Sequence, residues 1–250
     1  MAWWIAEETT GLTRSQILSG CKGTKNIPNV QTIIERLLHF EPIQYIFGHT
    51  LWCGLDLKVS PATLIPRPET AELVDTIHNS QFTIHNCRVL DVGTGSGCIA
   101  IAIKKKHPEW DVTGIDISEE AIAVAKENAT RNEADVRFEV TDIFSDEIER
   151  IGTFDIVVSN PPYICEKEKA GMRKNVLDFE PETALFVPDD DPLKFYRRIA
   201  SLQVGKQLYF EINEAYPQEL AALLAELGYT EIHIHNDIYG KARIIEGRMA

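Results

Sequence analysis

The chain reads as an α/β protein: a doubly wound, mostly parallel sheet with a small helical domain before it. Three observations predict this. After residue 85, short runs rich in β-branched residues alternate with segments of helical periodicity. Two of the runs, Val89-Leu90 and Ile156-Val157-Val158, are apolar without alternation, as in central strands covered by helices on both faces. A glycine-rich turn leaves the first of these strands and opens an apolar helix, at the edge where such sheets hold ligands.

Taken in order, residues 1–41 carry two helical patterns, one from Trp3-Trp4-Ile5 to Ile17-Leu18 and one from Val30 to Leu37-Leu38, separated by a Gly, Asn and Pro-rich stretch at 20–29. Residues 42–62 change to β-like runs, Ile43-Gln44-Tyr45-Ile46-Phe47 and Leu55-Asp56-Leu57-Lys58-Val59, punctuated by Gly48 and Gly54. They are expected to form a hairpin joining the helical domain to a larger one over 63–250. That larger domain is expected to hold strands at 88–92, 111–116, 136–140 and 154–159, with helices at 97–107 and 118–131. Beyond these the pattern gives a helix near 193–202, a strand at 207–212, a helix at 215–227, and strands at 231–235 and 242–245.

Composition narrows the function classes. The 250 residues are 44% hydrophobic and 25% charged, which excludes disorder as the main state, and no apolar run is long enough to span a bilayer. With 25 basic against 38 acidic residues the net charge is −13, so a surface built for a phosphate backbone is not expected. Five cysteines, with no Cys-x-x-Cys pair and no clustering with histidine, read as reduced thiols rather than a disulfide framework or a metal site. The first residues lack the basic start and apolar core of a signal peptide, so a cytoplasmic location is expected.

The strand Val89-Leu90-Asp91-Val92 runs into Gly93-Thr94-Gly95-Ser96-Gly97, whose glycines permit a tight turn and close approach of a ligand to the backbone. Asp116, nineteen residues beyond Gly97 and at the end of the next strand, is placed to accept hydrogen bonds from two ribose hydroxyls. The spacing is not that of dinucleotide folds, and no Lys-Ser/Thr follows as in a P-loop. A carboxylate at Asp91 opposes a pyrophosphate and suits a cationic amino-acid group, as on S-adenosylmethionine. Taken alone, such a loop is also compatible with a plain tight connection.

A second signal closes the strand at 154–159: Asn160-Pro161-Pro162-Tyr163. Two prolines fix the backbone and remove two N–H donors, leaving carbonyl acceptors beside the Asn160 amide oxygen. Such acceptors suit an NH2 group, and holding both its N–H bonds turns a delocalised nitrogen lone pair toward a methyl donor. Tyr163 is expected to stack on a planar substrate group.

Residues 91–97 together with 160–163 resemble class I S-adenosylmethionine-dependent methyltransferases acting on planar NH2 groups. Three further segments narrow this: Glu41-Pro42-Ile43-Gln44-Tyr45-Ile46-Phe47-Gly48, Leu64-Ile65-Pro66-Arg67-Pro68-Glu69-Thr70, and Glu180-Pro181 followed by Ala184-Leu185-Phe186. With them the chain resembles the HemK/PrmC family, which methylates the side-chain amide of the glutamine in the Gly-Gly-Gln motif of peptide chain release factors. The resemblance implies a seven-stranded sheet with an antiparallel last strand, S-adenosyl-L-methionine as cofactor and S-adenosyl-L-homocysteine as product. It also implies a release factor as partner, docked with help from residues 1–41, and a monomer that binds neither nucleic acid nor membrane.

By position, the resemblance assigns Asp91, Gly93, Thr94, Gly95, Ser96, Gly97, Asp116 and Asn160 to the cofactor, with Asp142 and Ile143 flanking its adenine. Asn160, Pro161, Pro162 and Tyr163 would hold the glutamine amide, with Asn160, Pro161 and Tyr163 catalytic. Arg67 would contact substrate from a loop over the methionine end, or else form a surface pair with Glu69 at a helix begun by Pro68.

The chain departs from the family at Ala71 (usually acidic), at Ile143 (often aromatic), at 187–192 (usually a Gly-containing turn), and in the shortness of its helical domain. Competing readings are a nucleic-acid amino methyltransferase acting on adenine N6 or guanine N2, disfavoured by charge and by the segments at 64–70 and 180–186; a ribosomal-protein glutamine methyltransferase, whose pattern fits 66–70 less well; and a non-catalytic cofactor-binding adaptor. Trp3 and Trp4 are expected in the core of the helical domain. His233 and His235 share a strand face without further ligands nearby, and Asp189–Asp191 is expected to be a solvated loop.

Overall fold

The structure, a computed structural model, describes residues 1–23, 30–80 and 85–249; part of the expected linker at 20–29 lies outside the described residues. The N-terminal helices are α1 (Ala2–Thr10), α2 (Arg14–Leu18) and α3 (Val30–Leu38). Gly11 ends α1 in the left-handed conformation, and Thr13 and Gln16 form a reciprocal capping box that starts α2. Trp4 packs on Phe47 with ring centroids 5.7 Å apart, as a core residue would, whereas Trp3 remains 37% exposed under the Arg14 guanidinium.

The expected strand at 43–47 is instead a one-turn helix, α4 (Ile43–Phe47). Pro42 has its φ set by its ring and offers its carbonyl to the N–H groups of Tyr45 and Ile46, while Gly48 takes φ 75° and closes the turn on the Gln44 carbonyl. A five-residue apolar run fits either period, and its flanking residues decide. The hairpin is made by β1 (His49–Trp52) and β2 (Leu55–Lys58) alone.

The remaining elements are α5 (Thr70–Asn79), β3 (Arg88–Val92), α6 (Cys98–Lys106), β4 (Asp111–Asp116), α7 (Glu119–Arg131), β5 (Arg137–Val140), β6 (Phe154–Ser159), β7 (Ile164–Cys165), α8 (Lys174–Leu177), β8 (Phe186–Val187), α9 (Lys194–Leu202), β9 (Gly205–Glu211), α10 (Pro217–Glu226), β10 (Tyr229–Asn236) and β11 (Ala242–Met249). Seven strands form one sheet in the order β10-β11-β9-β6-β3-β4-β5. Pairing is parallel from β5 to β9, and β11 runs antiparallel between β9 and β10, so the expected sheet with an antiparallel last strand is observed.

The unbroken apolar runs acquire a physical reason here. Val89, Ile156 and Val158 face a layer formed by α5, α6, α7 and the hairpin, while Leu90 and Val157 face α9 and α10 on the other side. Each of these side chains is buried, and each burial stabilises the fold by about 1.5–3 kcal/mol. Two asparagines one turn apart, Asn128 on α7 and Asn132 at its C-cap, hold the hairpin against this domain. The Asn128 amide bonds both the N–H and the carbonyl of Lys58, and Asn132 does the same for Asp56. Chain order runs outward from β3 to β5 and then returns to β6 on the other flank of β3. That reversal opens a crevice at the carboxyl ends of β3 and β6. No helix among the described residues is long and apolar enough to cross a membrane.

Candidate functional site

The crevice is a cavity of about 680 Å³, within the range of small-molecule sites. Its floor is the glycine loop after β3. Gly93, Gly95 and Gly97 all have positive φ (70°, 54° and 79°), which a side chain would make costly. The loop sits close on β4: Thr94 donates its N–H to the Ile115 carbonyl at 2.9 Å. Gly114 makes room for it, since a Cβ there would lie 2.7 Å from both the Phe138 ring and Thr94 Oγ1.

Asp116 reaches the cavity from the end of β4. Its Oδ2 accepts from Gly95 N–H at 2.9 Å and its Oδ1 from Ser118 N–H at 3.0 Å, which aims the carboxylate while leaving lone pairs for a ligand. Asp142 and Ile143 line the same wall. Phe144, next to Ile143, lines it too and meets Phe195 edge-on with centroids 5.6 Å apart, so aromatic surface is present one residue beyond the position where the sequence lacks it.

Asp91 is placed differently from its expected role. It is fully buried beneath the loop and not on the cavity wall; Oδ2 accepts from Thr94 Oγ1 at 2.6 Å and from Ala100 N–H at 3.2 Å, and Oδ1 has no hydrogen-bond partner. Burial pushes this carboxyl up to about 7, against the opposing pull of the two hydrogen bonds. Its contacts organise the loop and the start of α6.

Asn160, Pro161 and Pro162 line the cavity opposite Asp116. Ser159 Oγ donates to the Val92 carbonyl at 2.6 Å and locks the end of β6 to that of β3. The Asn160 Nδ2 donates to Thr70 Oγ1 at 3.3 Å; among the described residues no donor pairs with its Oδ1 or with the Pro161 carbonyl. Tyr163 does not line the cavity. Its ring packs into the core beside α9, and its hydroxyl donates to the buried Glu211 at 3.2 Å.

Arg67 lines the cavity, and its partner is Glu180, 113 residues away, rather than Glu69: Nη2 donates to Glu180 Oε1 at 2.7 Å, and Oε2 accepts from Ile65 N–H at 3.1 Å. Tyr45 Oη donates to the Thr63 carbonyl and Trp52 Nε1 to the Arg67 carbonyl, so α4, the hairpin and the 64–69 loop are one assembly. α5 begins at Thr70, two residues after Pro68.

Sequence reasoning missed Thr70, Phe144, Phe195 and Glu211. A charged residue ending the apolar run Leu208-Tyr209-Phe210 at the ligand edge of the sheet was the available signal for Glu211. Elsewhere His235 pairs with Glu246 at 3.0 Å, and no metal-binding cluster occurs among the described residues.

The sheet order, the glycine loop and the carboxylate at the end of the adjacent strand define a methyltransferase of class I fold. Residues 68–178 match the methyltransferase small domain family. A methyltransferase from Pyrococcus furiosus shares the fold with a TM-score of 0.57 at 19% identity, over 87% of this chain and 98% of that one. Relatives named release factor glutamine methyltransferase are much closer in sequence. The one from Bacteroides thetaiotaomicron is 49% identical over 234 residues, covering 92% of this chain and 82% of its own length. That from Flavobacterium psychrophilum is 44% identical over 224 residues, covering 86% and 78%. The chain belongs to the release factor glutamine methyltransferase family, as its motifs led one to expect.

Proposed function

We propose that the protein transfers a methyl group from S-adenosyl-L-methionine to the glutamine side-chain amide of the Gly-Gly-Gln motif in peptide chain release factors. One observation carries the reading: Asn160 commits its NH2 to Thr70, and among the described residues its Oδ1 and the Pro161 carbonyl, both on residues that line the cavity, have no donor. Two acceptors on a rigid Pro-Pro loop match the two N–H bonds of a primary amide and would direct its nitrogen lone pair inward. They would also hold the proton that the nitrogen sheds before it passes to water.

The cavity suits this cofactor. Ile117, Ile143 and Phe144 give an apolar slot for adenine, and Asp116 is placed for two ribose hydroxyls. Asp91 has a buried oxygen without a partner, and a cationic ligand above the loop would favour its charged form against the burial that raises its pKa. Asp116, Glu120 and Asp142 outnumber Arg67 and Lys194 on the wall, which disfavours a pyrophosphate ligand. When bound, the cofactor supplies a methyl group on a positively charged sulfur. Arg67, held by Glu180, would hold the mouth of the site in shape for the incoming peptide, and residues 1–41 would form a docking domain linked through α4 and the hairpin. Tyr163 would act on substrate only through the loop it anchors.

The test is transfer of labelled methyl to a purified release factor, beside a copy lacking the Gly-Gly-Gln glutamine and beside RNA and DNA. Label on the intact factor alone is the expected outcome; label on nucleic acid would overturn the substrate assignment.

A further inference from the structure

Beneath Asn160 lies a buried chain of side chains drawn from three separate elements. Thr70, the first residue of α5, is 2% exposed and Glu211, the last residue of β9, is 1% exposed. Thr70 Oγ1 lies 2.7 Å from Glu211 Oε2 and accepts from Asn160 Nδ2 at 3.3 Å, while Tyr163 Oη fills the other carboxylate oxygen. We propose that Glu211 and Thr70 form a directional hydrogen-bond relay that fixes the Asn160 amide with its carbonyl oxygen toward the cavity, making both of them positioning residues for methyl transfer. The proposal rests on the reading of Asn160 as acceptor for the substrate amide.

The direction follows from proton inventory. A carboxylate only accepts, and a threonine hydroxyl has a single proton. Thr70 therefore commits that proton to Glu211 and presents only lone pairs to Asn160. The NH2 end of the amide can satisfy them and the carbonyl end cannot. Without the carboxylate, the hydroxyl is free to donate to Asn160 Oδ1. The amide would then turn over and aim N–H bonds at the N–H bonds of the substrate, donor against donor. Burial pushes the Glu211 carboxyl above its ordinary value, opposed by the hydrogen bonds from Thr70 and Tyr163 and by nearby Arg243; both its oxygens accept from hydroxyls, and main-chain pairing of Glu211 with Ile244 of β11 fixes where it stands.

A purely structural carboxylate clasping α5 to β9 makes a different prediction, and the full-length chain can separate the two. Thr70→Val keeps shape and removes the hydroxyl; Thr70→Ser restores it. The readouts are the side-chain 15N–H2 resonances of Asn160 in the ligand-free protein, and kcat, KM and cofactor affinity with a release factor as substrate. For T70V the Asn160 resonances should move and exchange faster, and kcat should fall about 10–100-fold with KM and cofactor affinity within roughly 3-fold; T70S should return both readouts toward wild type. Glu211→Gln, whose amide can offer Thr70 either end, should fall between.

Unmoved Asn160 resonances in T70V, a loss that T70S does not reverse, or a wild-type-like E211Q would each overturn the relay. If the wild-type enzyme labels no release factor, the substrate assignment falls while the resonances still decide the relay.

Discussion

Replacing Asp91 with Asn probes the cost of holding a carboxylate under the glycine loop. Burial raises its pKa from 3.8 to about 7, so between those values the folded protein holds a proton that the unfolded chain has lost. Stability then falls as pH rises through this window; between about pH 5 and pH 8 this group removes about 2–3 kcal/mol. Asn cannot ionise. Its oxygen can still accept from Thr94 and Ala100, but its NH2 replaces the unpaired Oδ1 and goes unsatisfied, at about 1–3 kcal/mol.

Near pH 5 the wild-type carboxyl is itself protonated, with its O–H on the partnerless Oδ1, so wild type should be the more stable protein by no more than the added cost of the second N–H of Asn. Its advantage should shrink by about 2–3 kcal/mol on approaching pH 8, reaching or passing zero. Urea unfolding of both proteins at three pH values across this range measures the difference, and groups that titrate alike in both cancel. A wild-type-minus-variant difference that is flat with pH would refute the reasoning, because it would mean that Asp91 keeps its ordinary pKa despite complete burial.

Three other changes have defined outcomes. Asn160→Ala should lower kcat roughly 100- to 1,000-fold while cofactor affinity, measured by calorimetry, changes only a few-fold; equal losses in both would remove the positioning role. Glu180→Ala strands the Ile65 N–H and the Arg67 guanidinium. Because Arg67 is 31% exposed and water screens it, the expected loss is about 1–3 kcal/mol in chemical denaturation, with Glu180→Gln recovering part of it by keeping the Ile65 bond. Gly114→Ala should cost about 1–3 kcal/mol in thermal unfolding and weaken cofactor binding too, since the new methyl collides with Phe138 and with Thr94 of the loop.

Local sequence carried much of this protein. The period of each run, the non-alternating Val89-Leu90 and Ile156–Val158, and the turn residues 93–97 and 160–163 all act over a few residues, so the sheet, its covering helices and the ligand edge were legible without coordinates. Where local signals compete, they were not: Ile43–Phe47 suits strand or helix by pattern, and Pro42 and Gly48 tip it to a helical turn. The tertiary fold alone decided which side chains face the ligand and which support those that do. Asp91 went under the loop instead of onto its surface, Tyr163 turned to the core, Arg67 found Glu180, and Thr70 and Glu211 came together from positions 141 residues apart. Hydrogen bonds of this kind depend on where separate strands and helices end in space, and side-chain periodicity along the chain holds no record of that.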